Sequence, residues 1–213
     1  INSLYGNPDM GLVHHDTKLS SFHTFGVLRN LPFCIDEVTD MKPEAVSDLA
    51  YAITHGRARN RMSSSANKLR ENKFTWKSIL VTTGNSSFYD KLAEHTEFSD
   101  GEMMRVFEIR IPSGSSKEQQ DDRYNNINKN YGYAGEVYIQ EVIKNIDKLK
   151  QRIMKKKEQI RKDFGLYSKE RFWTDLIAVN LVGGEFAKEI GLHNYNIDKI
   201  YNWLRNNINV IRK

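Results

Sequence analysis

Two short apolar runs closed by polar residues, Leu31–Glu37 and Ser78–Asn85, together with a third strand candidate at Val106–Ile111 closed by Pro112, constrain this chain more than anything else in it. An unbroken apolar run of roughly four to eight residues, without alternation, is how a strand covered on both faces reads. Such strands pair in parallel and need helical crossovers between them. The intervening sequence supplies them. Pro43 suits the first turn of a helix running to about His55, with Gly56 as its stop. Thr17 is placed to cap a helix through Leu28, with Leu19, Phe22, Phe25 and Val27 or Leu28 near one face. Phe88–His95 reads as a short helix, Leu12–His14 as a short strand, and Ile1–Tyr5 as a helix end stopped by Gly6 and Pro8. Residues 1–112 therefore predict an α/β core.

Beyond Pro112 the pattern turns helical. Residues 113–130 are polar and read as loop or frayed helix. Gly135–Phe164 predicts one long Lys-rich helix, with Ile139, Val142, Ile143, Ile146, Leu149, Ile153 and Ile160 as its apolar stripe. Ser168 is placed to cap a helix through Phe172, Leu176, Val179 and Phe186, ended by Gly191. A last helix starts near Asn196 and carries Ile200, Trp203 and Leu204. Residues 113–213 are thus expected to form an all-helical second domain, with Trp173 and Trp203 as core anchors.

No apolar run reaches the roughly 18 residues needed to cross a bilayer, and no signal-peptide pattern opens the chain. The lone Cys34 excludes an internal disulfide and a multi-cysteine zinc site, and mid-run it reads as an inert core thiol. These features predict a cytoplasmic protein that does not span a membrane. The start at Ile1, inside a helix pattern, suggests a piece of a longer chain. The net charge of +5 is uneven. Residues 57–77 hold seven basic side chains against Glu71, a local +6, and residues 144–162 hold nine against Asp147 and Glu158, a local +7. The remainder is acidic, so contact with a polyanion is expected to be localised. The first block is Arg-rich and interrupts the α/β pattern; its Ser63–Asn67 centre reads as a turn between flanks able to pair. The second, with Lys155-Lys156-Lys157, is equally well a solvated helix face.

The ends of the apolar runs carry the chemistry. The carboxyl ends of parallel strands form the ligand crevice of an open α/β sheet. Asp36, closing the first run, can hold the water shell of a nucleotide-bound Mg²⁺, and Glu37 can polarise an attacking water. Asn85, closing the second, can position the same water or touch a γ-phosphate, although Gly84-Asn85 is also a common turn pair. Arg105 precedes the third run, where ring-forming ATPases often place an arginine that reaches a neighbouring subunit's phosphate; Arg110 is its rival, and a solvated arginine fits either position. His14-His15-Asp16 lacks a second ligand cluster and reads as a surface turn, and Gly183-Gly184 as a helix break or close packing.

The order and spacing of Ser3–Pro8, Leu31–Glu37, His55–Arg59, Val81–Asn85 and Arg105–Ile109 resemble the ATPase core of phage and prophage primase–helicase proteins. These are P-loop ATPases related to the AAA+ class and similar in layout to superfamily 3 helicases. The helical half, with Tyr131–Gly135 and Phe172–Leu192, resembles the tails of the same proteins. The resemblance implies a truncated P-loop parallel sheet followed by a helical region, ATP and Mg²⁺ as cofactors, and a homo-hexameric ring moving on single-stranded DNA. It makes Asp36 the Mg²⁺-associated acid, Glu37 the catalytic base, Asn85 the sensor and Arg105 the arginine finger. Residues 57–77 become a hairpin in the ring's channel, whose Arg57, Arg59, Arg61, Lys68 and Arg70 hold DNA phosphates. Aromatics are sparse there, which implies backbone contact without sequence preference. The family's Gly-Lys-Ser/Thr phosphate loop precedes the counterpart of Ile1, and no Gly-x-x-x-x-Gly-Lys-Ser/Thr occurs in this sequence. Two other readings stand beside it: a nucleic-acid-binding module with a degenerate ATPase, and a P-loop ATPase that remodels protein, for which an aromatic channel loop would be expected in place of Arg and Lys.

Overall fold

A computed structural model of the chain describes residues 1–8, 12–13, 18–57, 74–94, 100–111 and 116–212. It divides into two compact units, Ile1–Asn2 with Gly6–Val106, and Ser3–Tyr5 with Phe107–Lys213. A four-residue helix, α1 (Asn2–Tyr5), is shared between them.

The first unit is built on three parallel strands in chain order: β1 (Leu12–Val13), β2 (Phe33–Asp36) and β3 (Leu80–Thr82). Ile35 pairs with Leu12 on one side and Thr82 on the other, so β2 is central. Helix α2 (Lys18–Leu28) joins β1 to β2, and α3 (Pro43–His55) follows β2. The buried centre is aromatic. Phe25 lies 4.5 Å from Phe33 between ring centroids and 5.4 Å from Trp76, and Phe22 lies 5.8 Å from Trp76. Ile35, Val38 and Leu49 complete it. Phe22 and Phe25 face inward as expected, whereas Val27 is exposed. Pro43 opens α3, and Gly56 closes it with φ at 67°, where a side chain would also meet Trp76 O at 2.6 Å. Two short helices, α4 (Phe88–Ala93) and α5 (Asp100–Met103), complete the unit.

The expected third strand at Val106–Ile111 is not a strand. A strand exists only where a neighbour completes its backbone hydrogen bonds, and here the apolar residues are used otherwise. Tyr89 Oη donates to Val106 O at 2.8 Å, while Phe107 belongs to the second unit and packs edge-on against buried Trp173, 5.5 Å away. The short Leu12–Val13 strand takes the third place in the sheet.

In the second unit, Ser116 caps α6 (Lys117–Lys129). The single long helix expected over Gly135–Phe164 is two, α7 (Tyr133–Lys144) and α8 (Ile146–Phe164), broken at Asn145. The Asn145 side chain donates to Glu141 O at 2.9 Å, the local competition that makes Asn a poor interior helix residue. Tyr138, Val142, Leu149 and Ile153 still pack together against α9 (Arg171–Glu189) across the break, whereas Ile143 and Ile146, placed in the stripe by the sequence, are exposed. Helix α9 is entered through a 3-10 turn, Ser168–Glu170. The Glu170 carboxylate, not Ser168, secures that start, accepting from Tyr167 N–H at 2.7 Å. Helix α9 runs unbroken through Gly183-Gly184, where Tyr138 Oη donates to Gly183 O at 3.4 Å: close packing, not a break. Asn196 caps α10 (Ile197–Ile211), which buries Leu204, Ile208 and Ile211 but leaves Trp203 at 45% exposure, against its expected place in the core. Among the described residues no helix is long and apolar enough to cross a membrane.

Candidate active site at the ends of the central strands

The parallel register of β2 and β3 brings the two apolar runs to one end together. Asp36 closes β2; Thr83 and Asn85 follow β3. Thr83 Oγ1 donates to Asp36 Oδ1 and accepts from Glu37 N–H at 3.3 Å. That same N–H lies 3.1 Å from Asp36 Oδ1, and Val38 N–H donates to Thr83 O at 2.9 Å. Glu37 adopts a left-handed backbone, φ 56° and ψ 65°. For a residue with a Cβ this costs about 1–2 kcal/mol, and it persists where the surroundings impose it. The turn points the Glu37 carboxylate at Asn85, whose Nδ2 donates to Oε2 at 3.5 Å. Asn85 is itself fixed through its backbone N–H, which donates to Thr39 Oγ1 at 2.8 Å. Lys91 on α4 donates to Thr39 O and Met41 O, the second at 3.1 Å, and so secures the 38–41 turn beneath the site. Asp36, Glu37 and Asn85 all face solvent.

The donor set suits a cation held through its water shell. Asp36 is exposed, with Oδ1 engaged by Thr83 and Glu37 N–H, and hard divalent cations that keep their waters are bound by one or two carboxylates plus substrate phosphates. Direct coordination by protein alone does not fit: among the described residues no group of three or more His, Cys, Asp or Glu could hold a metal. Cys34, half-buried within β2, has its thiol pKa pushed up by burial, in keeping with packing and not with chemistry. His14-His15-Asp16 lies outside the described residues.

Arg105 sits apart from this cluster, on the last turns of α3. Its Nε donates to Thr54 Oγ1 at 3.0 Å, its Nη1 to Gly101 O, and its guanidinium lies 4.6 Å from the Tyr51 ring centroid. Arg110 is exposed and belongs to the second unit. Of the basic insert, Arg57 is described; Arg59, Arg61, Lys68 and Arg70 lie outside the described residues. The insert's two ends meet in an antiparallel bridge between Arg57 and Thr75, and Trp76 N–H donates to Gly56 O at 2.9 Å. Three of the nine basic residues of the second block are taken up by α9: Arg152, Lys156 and Lys157 pair with Glu185, Glu189 and Asp175 at 2.6 to 3.1 Å, while the other six are exposed.

A solved structure with this fold is that of an active helicase. The SCCmec type IV Cch helicase superposes with a TM-score of 0.70 at 20% sequence identity, over 95% of this chain. The chain spans 37% of that protein's length. No family model matches the sequence, and no curated protein matches it. At that identity the likeness speaks for the fold.

Asp36, Glu37 and Asn85 stand out in the sequence, but the residues that fix them do not. Thr83, Thr39 and Lys91 make the bonds that orient the cluster. A polar residue at a strand's last position was the available signal for Thr83. None marks Lys91, whose role depends on α4 lying over the 38–41 turn.

Proposed function

We propose that this segment is the downstream part of the ATPase core of a DNA helicase, of the kind found in phage-type primase–helicase proteins. The observation that carries the reading is the meeting of Glu37 and Asn85, 3.5 Å apart, at the ends of adjacent parallel strands beside Asp36. A carboxylate with a reason only to pack would not stand in a strained left-handed turn, exposed, opposite an amide. The likeness to a helicase fold supports the same reading.

In this reading Asp36 orients the waters of a nucleotide-bound Mg²⁺, whose chemistry is to neutralise phosphate charge. Glu37 accepts the proton of the attacking water, and Asn85 holds that water and the Glu37 carboxylate in line. Arg105, with Arg110 as alternative, serves a neighbouring copy in a hexameric ring. Arg57, Arg59, Arg61, Lys68 and Arg70 hold single-stranded DNA phosphates. The phosphate loop comes from sequence outside these 213 residues, and the protein works in the cytoplasm.

The test is ATP hydrolysis, with and without single-stranded DNA, by a protein in which this segment is joined to its phosphate loop. DNA is expected to stimulate turnover. Glu37→Gln is expected to bind nucleotide and lose at least about 100-fold in rate, the scale of a general base. DNA binding without turnover would instead favour a binding module.

A further inference from the structure

We infer that Thr83 is the positioning residue of this site, the side chain that sets both acids at once. The inference rests on the ATPase reading and assigns a role within it. A hydroxyl can donate and accept together, and Thr83 does both across the strand ends. It donates to Asp36 Oδ1 and accepts from Glu37 N–H. Its own backbone is locked on either side, with Thr83 N–H donating to Ile35 O at 3.4 Å and Thr83 O accepting from Val38 N–H at 2.9 Å.

Two consequences follow from that geometry. With Oδ1 engaged by Thr83 and Glu37 N–H, the exposed Asp36 carboxylate is anchored from one side, which leaves Oδ2 as the oxygen to meet the metal's waters. With the Glu37 N–H tethered, the left-handed turn that points Oε2 at Asn85 has a fixed root. Thr83 touches neither phosphate nor water in this scheme; it acts through Asp36 and Glu37. Partners of this kind typically matter 10- to 100-fold in metal affinity or rate.

The experiment uses the loop-containing protein with Thr83→Val, which keeps the shape and removes the hydroxyl, and Thr83→Ser, which restores it. Thr83→Ala replaces the valine variant if that one does not fold, as judged by its thermal unfolding. The expected result is a fall of about 10- to 100-fold in kcat and a rise of about tenfold in the Mg²⁺ concentration giving half-maximal rate. Affinity for metal-free nucleotide should stay constant, and Thr83→Ser should recover most of both losses. Wild-type rate and Mg²⁺ dependence in Thr83→Val, or no recovery in Thr83→Ser, would overturn the inference. Mn²⁺ binding to the nucleotide complex, followed by electron paramagnetic resonance, separates it from the ATPase reading. If the unsubstituted protein turns over no ATP, that reading fails. The inference then stands if Thr83→Val weakens Mn²⁺ binding and falls if Mn²⁺ binds equally or not at all.

Discussion

Trp76 shows how one side chain ties several parts of the first unit together. It stacks on Phe22, meets Phe25 edge-on, and donates from its indole nitrogen to Ile53 O at 3.2 Å. Its burial was hidden in the sequence, because it follows a basic stretch with no apolar periodicity, just before the Ser78–Asn85 run. Trp76→Ala should cost about 3–5 kcal/mol, measured as a fall in the urea midpoint. Glu170 is the second unit's counterpart. It is 2% exposed, and Arg212 reaches it through Nε at 2.6 Å and Nη2 at 2.9 Å. Burial works to raise the Glu170 pKa, but the hydrogen bonds from Arg212 and from Tyr167 N–H outweigh it, and the net shift is downward. A carboxylate lowered in the folded state adds stability above its unfolded pKa and loses it as pH falls through the folded value. Acid should therefore weaken this unit below about pH 4, an effect that thermal melts of Glu170→Gln should lack. Arg212→Met, leaving the carboxylate buried without its cation, should cost about 3–5 kcal/mol.

At the level of elements, what the sequence made legible depended on whether the deciding contact was local. Pro43, Gly56 and Asn196 mark helix ends through neighbours in sequence, and the structure places those ends there. The Asn145 break was missed because hydrophobic spacing runs through it, and the Val106–Ile111 run was misread because its partner determines whether it is a strand. Helix α8 is held twice. Its basic residues meet the acids of α9, and Asp163 accepts from Tyr201 Oη of α10 at 2.5 Å. Burial foremost, and that hydrogen bond next, push the Tyr201 pKa up to about 12. A phenol raised in the folded state favours folding until the unfolded chain begins to ionise near pH 10. Stability should then decline from about pH 10 to 12. Tyr201→Phe should remove that part of the alkaline loss, and absorbance titration should show one fewer late phenol.

For the whole molecule, the uneven charge seen in the sequence meets two different settings among the described residues. The block on α8 is partly consumed by α9, while Arg57 at the root of the other block is exposed. Nucleic-acid affinity should accordingly follow residues 57–77. Neutralising Arg59, Arg61, Lys68 and Arg70 together should flatten the dependence of log affinity on log salt by up to about three, at roughly 0.7 per phosphate contact on a single strand, as read by fluorescence anisotropy. Neutralising Lys148, Lys155 and Lys162 should change it little. The candidate site itself was legible as residue types and invisible as geometry: Asp36, Glu37 and Asn85 could be named, whereas the turn that turns Glu37 toward Asn85 required the register of β2 and β3.

The antiparallel bridge between Arg57 and Thr75 has a bearing on how such a chain could diversify. Both ends of the insert are pinned by the core, at Gly56 through Trp76 and at Lys77 through Arg29 O, 3.1 Å away. The span between them is thus closed by groups that do not belong to it. Closing a loop grows costlier only with the logarithm of its length, about 0.6 kcal/mol for each doubling. A change in the number of residues between Arg57 and Thr75 should therefore cost the paired ends little, read as an unchanged urea midpoint. Natural variation between these two anchors can accumulate while the carboxylates stay where they are.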